Sequence, residues 1–101
     1  MQLKILDYHI DQGREQTKKT KNISQNCMNA LALKEAFPDA IGTSSGFGGS
    51  TVRFKDRVLH LSHSEELASS IRKFDAWCKL GGPRPEPGVY EVMVVVGGDE
   101  D

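Results

Sequence analysis

GVYEVMVVV, Gly88–Val96, is the stretch on which the reading of the fold turns. It is nearly apolar throughout, so it reads as a strand with apolar neighbours on both faces. Immediately before it, PRPEP (83–87) cannot continue a helix and runs extended. Before that, SHSEELASSIRKFDAWCKLGG (62–82) carries the clearest helical pattern in the chain. Leu67, Ile71, Phe74, Trp77 and Cys78 recur at helical spacing, and most of the charged residues fall elsewhere around the helix. Ser62 with Glu65 fits a capping box, and Gly81 suits a left-handed cap.

Working further outward, TVRFKDRVLHLS (51–62) reads as a hairpin turning at Lys55-Asp56. A two-residue turn places Val52 opposite Leu59, and directly paired residues share a face. Val52, Phe54, Leu59 and Leu61 then line the core, while Arg53, Val58 and His60 point the other way. SQNCMNALALKEAF (24–37) reads as a helix capped by Ser24 or Asn22 and stopped by Pro38. LKILDYHI (3–10) reads as a strand, and DQG (11–13) as a turn. REQTKKTK (14–21), which includes Lys18 and Lys19, reads either as a polar edge strand or as a mobile arm. GTSSGFGGS (42–50) reads as a flexible connection and contact loop.

The resulting order is strand, helix, two strands, helix, strand, with no internal repeat or domain boundary. It matches a single α+β domain over 1–101, in the βαββαβ, ferredoxin-like order with two helices on one face of one sheet. In that arrangement the last strand lies at an edge, yet here it is the most apolar one. Either a partner covers it or the strand order differs.

Composition excludes several classes. The net charge of −1 provides no overall field for nucleic acid or an acidic membrane. No apolar run approaches the ~18 residues of a membrane span, and the N-terminal residues lack a signal-peptide pattern. The expectation is a cytoplasmic protein with no membrane association. Cys27 and Cys78 are read as reduced, buried thiols.

The motifs argue mostly by failing. The Gly42–Thr51 stretch lacks the lysine and spacing of a phosphate loop, and a strand follows it where a helix is needed. SGFGGSTVRF (45–54) resembles in part the third-strand signature of the RNA-recognition motif, through Gly46-Phe47-Gly48 and Val52-Arg53-Phe54. The signature's leading cation is missing, and the inserted Gly49-Ser50 breaks the alternation that aims its rings at bases. His60 and His63 straddle a strand-to-helix junction, so no metal is expected of them, and no cofactor is expected of the chain.

A short chain with little site chemistry binds more often than it catalyses. The expected function is therefore a non-enzymatic protein-binding module, a regulator or inhibitor that occupies a partner's surface. Phages and mobile elements encode such proteins, although no residue here carries that origin. The expected partner is another protein or a second copy, with nucleic acid at most a weak ligand. The candidate contact residues are Phe47, Arg53, Val58, His60, Lys18, Lys19 and Val94. The alternatives are a single-strand nucleic-acid binder and a small enzyme using His60 or His63.

Overall fold

A computed structural model of the chain describes residues 1–20, 26–46 and 48–95. These residues form a small α+β domain of five strands and three helices. In chain order they are β1 (Gln2–Ile5), α1 (Asp7–Thr20), α2 (Met28–Ala36), β2 (Gly42–Ser45), β3 (Gly49–Arg53), β4 (Val58–His63), α3 (Glu65–Leu80) and β5 (Gly88–Val95). The sheet runs β1-β5-β4-β3-β2, and every neighbouring pair is antiparallel.

Alternation along the strands divides the sheet into two unlike faces. Leu3, Ile5, Val52, Leu61 and Val92 point to the helical side and are buried against Met28, Leu33, Leu67, Ile71 and Phe74. Helix α2 packs over β1, β2 and β3, α3 packs over β4 and β5, and α1 rests on both helices. The opposite face carries no helix among the described residues.

Helix α3 forms where its sequence pattern places it. Its cap is Ser64, whose hydroxyl accepts the Leu67 amide, and not Ser62, which remains in β4. Gly81 closes the helix at φ 73°, a left-handed conformation that costs a residue without Cβ little. The hairpin register is also as expected: Val52 lies opposite Leu59, and the Phe54 amide donates to the Arg57 carbonyl.

The first twenty residues differ from expectation. The strand ends at Ile5, and Asp7–Thr20 is a helix. The edge strand or arm expected over 14–21 is thus the C-terminal half of α1 up to Thr20, and Lys21 lies outside the described residues. The buried stripe of α1 is His9, Ile10, Gly13 and Thr17, which is helical spacing with one strongly apolar member. Gly13 permits the packing: a Cβ there would meet the Met28 amide nitrogen at 2.8 Å and Phe74 Cζ at 3.1 Å. Asp7 in the first turn and Lys18 and Lys19 in the last favour the helix dipole. Arg84 then clamps the segment between α3 and β5 onto α1, lying 3.1 Å from both Asp7 and Asp11.

Further corrections concern the strands. Gly42–Ser50 is not a free connection, because Gly42–Ser45 pairs with Ser50–Arg53 as a hairpin. Helix α2 starts at Met28 with Cys27 as its cap residue, and the proposed caps Asn22 and Ser24 lie outside the described residues. The βαββαβ order is not what the described residues form: α1 and α2 both lie between β1 and β2, and three strands precede α3. Strand β5 is interior, between β1 and β4, but only Val92 along it is buried. Its apolar residues reach both faces, and among the described residues helices cover one face alone.

Candidate functional site

The uncovered face of the sheet is built from alternate residues of all five strands. From the registers it presents Gln2 and Lys4 on β1, Val89, Glu91, Met93 and Val95 on β5, and Val58, His60 and Ser62 on β4. Thr51 and Arg53 on β3 and Ser44 on β2 complete it. Val89, Met93 and Val95 are 54%, 70% and 47% exposed, and Val58 is 39% exposed. Met93 lies opposite Ser62 and Val95 opposite His60, with Val58 two residues from His60 on the same face. The result is an apolar band, Met93–Val95–Val58, bordered by polar and charged side chains. Among the described residues this face carries no Phe, Tyr or Trp.

The expected contact residues divide accordingly. Arg53, Val58 and His60 come together on the uncovered face. Val94 does not join them, because it pairs with the buried Leu61 and shares its face. It instead borders a groove of about 430 Å³ at the sheet end, with Met1, His63, Ser64 and Glu91. Lys18 and Lys19 sit at the end of α1, in the helical layer and away from the face. Phe47 lies outside the described residues. Val89, Met93 and Val95 gain from the structure a place on one face, whereas the sequence showed only an apolar run.

His63 belongs to a buried polar chain that sequence order conceals. The Cys27 thiol donates to Asn29 Oδ1 at 2.8 Å, and Asn29 Nδ2 donates to Ser45 Oγ. Ser45 Oγ lies 2.7 Å from Ser50 Oγ, which lies 2.5 Å from His63 Nε2. The directions are consistent if each hydroxyl donates onward and His63 Nε2 accepts. A serine that donates to a histidine nitrogen is the beginning of a nucleophilic pair. Ser50, however, is 5% exposed and its oxygen already serves two partners, so here the pair ties β3 to β4 within the core. Burial pushes the Cys27 thiol up to about 11, which leaves it protonated and unreactive at neutral pH.

A second polar cluster joins α1 to α2. The Leu6 amide donates to His9 Nδ1 at 2.9 Å, so His9 Nε2 carries the proton directed to Glu35 Oε1 at 3.0 Å. The Tyr8 hydroxyl donates to the other Glu35 oxygen. That bond holds the Glu35 carboxyl below the usual range, with His9 assisting, and raises the Tyr8 phenol above its usual value. The cluster has the composition of a tie between helices.

Cys27 and Cys78 are both free thiols. Among the described residues, no three His, Cys, Asp or Glu side chains gather as a metal site, and no helix is long and apolar enough to cross a membrane. Compared with protein-family models, with curated proteins and with solved structures, the chain matches none.

Proposed function

We propose that the protein is a non-enzymatic protein-binding module, a regulator or inhibitor that lays the uncovered face of its sheet against a partner protein. One observation carries this reading. Met93, Val95 and Val58 form an exposed apolar band inside a polar border, on a face that no helix covers among the described residues. Contiguous apolar surface of that kind marks contacts more often than chance exposure does, and a polar rim around an apolar centre is the usual anatomy of a protein interface.

The composition of the face also separates this reading from single-strand nucleic-acid binding. Stacking platforms need aromatic rings, and the described face has none beyond the His60 imidazole. Its cations Lys4 and Arg53 are accompanied by Glu91, and the net charge of the chain is −1. The phosphate backbone finds little attraction in that balance.

The experiment is capture from nuclease-treated lysate of the source organism, using wild type beside a Val58→Glu/Met93→Glu variant. The expected result is a protein retained by wild type and lost from the variant, with both proteins equally folded. Retention by both, or retention that disappears with nuclease treatment, contradicts the reading. Light scattering on the free protein identifies the case in which the partner is a second copy.

A further inference from the structure

The shape and charge of the uncovered face narrow what can cover it. Its apolar side chains do not spread over all five strands. Val89, Met93 and Val95 lie on β5 and Val58 on β4, while β1, β2 and β3 present only polar, charged or glycine positions there. The apolar part is therefore a strip no wider than two strands, about 10 Å. A second sheet packed on this face would need apolar partners across its full width. An amphipathic helix carries one apolar stripe and is about 10–12 Å across, which fits the strip as it stands.

The two ends of the strip differ in charge. Beyond Met93 stands Glu91, with Lys4 diagonally across from it on the same face, so that end holds one charge of each sign. At the other end Arg53 lies directly opposite Val58. Arg53 is exposed and has no carboxylate partner among the described residues. Asp56, in the adjoining turn, pairs instead with Arg57 at 3.5 Å. The Arg53 side chain lies across Gly42, where a Cβ would meet Nη2 at 2.5 Å. The glycine thus leaves room for a guanidinium on the face, beside the strip.

We infer that an amphipathic helix of the partner protein covers this strip, with its last turn and an acidic side chain over Arg53. The inference rests on the reading of this face as the contact surface and goes beyond it in naming the occupant. From Glu91 to Arg53 the span is about 22 Å, at ~3.4 Å per residue and ~4.8 Å per strand, which is about 15 helical residues. Apolar side chains at helical spacing rest on Met93, Val95 and Val58. The last carbonyls of a helix have no partner within it and carry partial negative charge. The guanidinium therefore meets both those carbonyls and the carboxylate. The sheet, which α2 and α3 cover on one side, gains a helix on the other.

The test is fluorescence anisotropy with a labelled alanine/leucine peptide of about 16 residues, its leucines on one helical stripe and a Glu in its last turn. Beside it stand a counterpart with Lys for that Glu, a counterpart with a central proline that breaks the helix, oligo-dT, and anionic lipid vesicles. The Glu peptide should bind saturably, and the Lys peptide about tenfold more weakly. The proline peptide should bind more weakly still, and the mixture with the Glu peptide should gain helical circular dichroism over its separate components. Arg53→Glu should reverse the order of the Glu and Lys peptides, Met93→Glu should abolish binding, and Lys18→Glu on α1 should bind as wild type does. No saturable binding of the Glu peptide below about 1 mM overturns the inference. So does equal binding of the proline peptide, an unchanged preference in Arg53→Glu, or binding of oligo-dT or vesicles in place of the peptide. If the inference fails while Val58→Glu/Met93→Glu still loses the captured partner, the contact face stands and the helix is wrong. If that variant keeps the partner, the contact face itself is wrong.

Discussion

The two faces of the sheet are made by alternate residues of the same strands, yet they obey different rules. On the covered face Leu3, Ile5, Val52, Leu61 and Val92 are buried, and the polar residues among them, Thr43, Ser45 and Ser50, each have a hydrogen-bond partner. On the uncovered face valines and a methionine stand in water beside Thr51, His60 and Arg53. Burial forces polar groups to be paired and apolar groups to fit, whereas an exposed face is free of both demands. The contact proposed above would give the apolar residues there a packing role.

Substitutions should therefore behave differently on the two sides. The largest loss is expected at Phe74 on α3, which is buried beside Gly13 of α1 in the core it shares with Met28 and Leu33 of α2. Phe74→Ala should cost on the order of 3–5 kcal/mol in denaturant unfolding. A midpoint close to wild type would mean that the helical layer does not pack as described. A smaller loss is expected in the polar chain. Asn29→Ala leaves the Cys27 thiol and the Ser45 hydroxyl each short of a partner, at a cost of roughly 1–3 kcal/mol. A neutral result would show that the chain is not closed through Asn29.

The Tyr8–Glu35 tie gives a gentler, pH-dependent effect. The Glu35 carboxyl titrates lower in the folded protein, so its contribution is present above the unfolded value of about 4.3 and is lost as pH falls through the folded one. The Tyr8 phenol titrates higher, so its contribution is present below about 10 and is lost as pH rises through the folded value. Unfolding midpoints measured across pH should fall at both ends for wild type, and Tyr8→Phe should flatten both limbs. Identical profiles would remove the tie from the account. The smallest stability change is expected on the uncovered face: Val58→Lys and Met93→Lys should each lie within about 0.5 kcal/mol of wild type. A large loss at either would mean that the face is covered.

The sequence revealed its elements unevenly, for physical reasons. Helix α3 was legible because Leu67, Ile71 and Phe74 make a stripe of large apolar residues and Gly81 ends it. The hairpin was legible because Val52 and Leu59 fit one register. Helix α1 was hidden because half of its buried stripe is Gly13 and Thr17, which read as turn and surface residues. Strand β2 was hidden because GTSS has little strand propensity of its own; its pairing with β3 and the Thr43 hydroxyl bond to the Ala30 carbonyl hold it in place. Of the candidate contact residues, Arg53, Val58 and His60 followed from hairpin alternation. That Val94 shares the face of Leu61 was not legible, because a run of valines does not indicate which of them face the helices. Asn29 and Ser50 were missed because the contacts that join them to Ser45 and His63 form only in the folded chain.

The central claim is that the Met93–Val95–Val58 band is bare in the free protein and covered by a partner. Methyl relaxation by a soluble paramagnetic agent tests it directly. In the free protein the Val58, Met93 and Val95 methyls should broaden strongly while those of Val52 and Val92 remain sharp. Addition of the captured partner should protect the first group and leave the second unchanged. Broadening of Val58, Met93 and Val95 that persists with the partner bound would contradict the account.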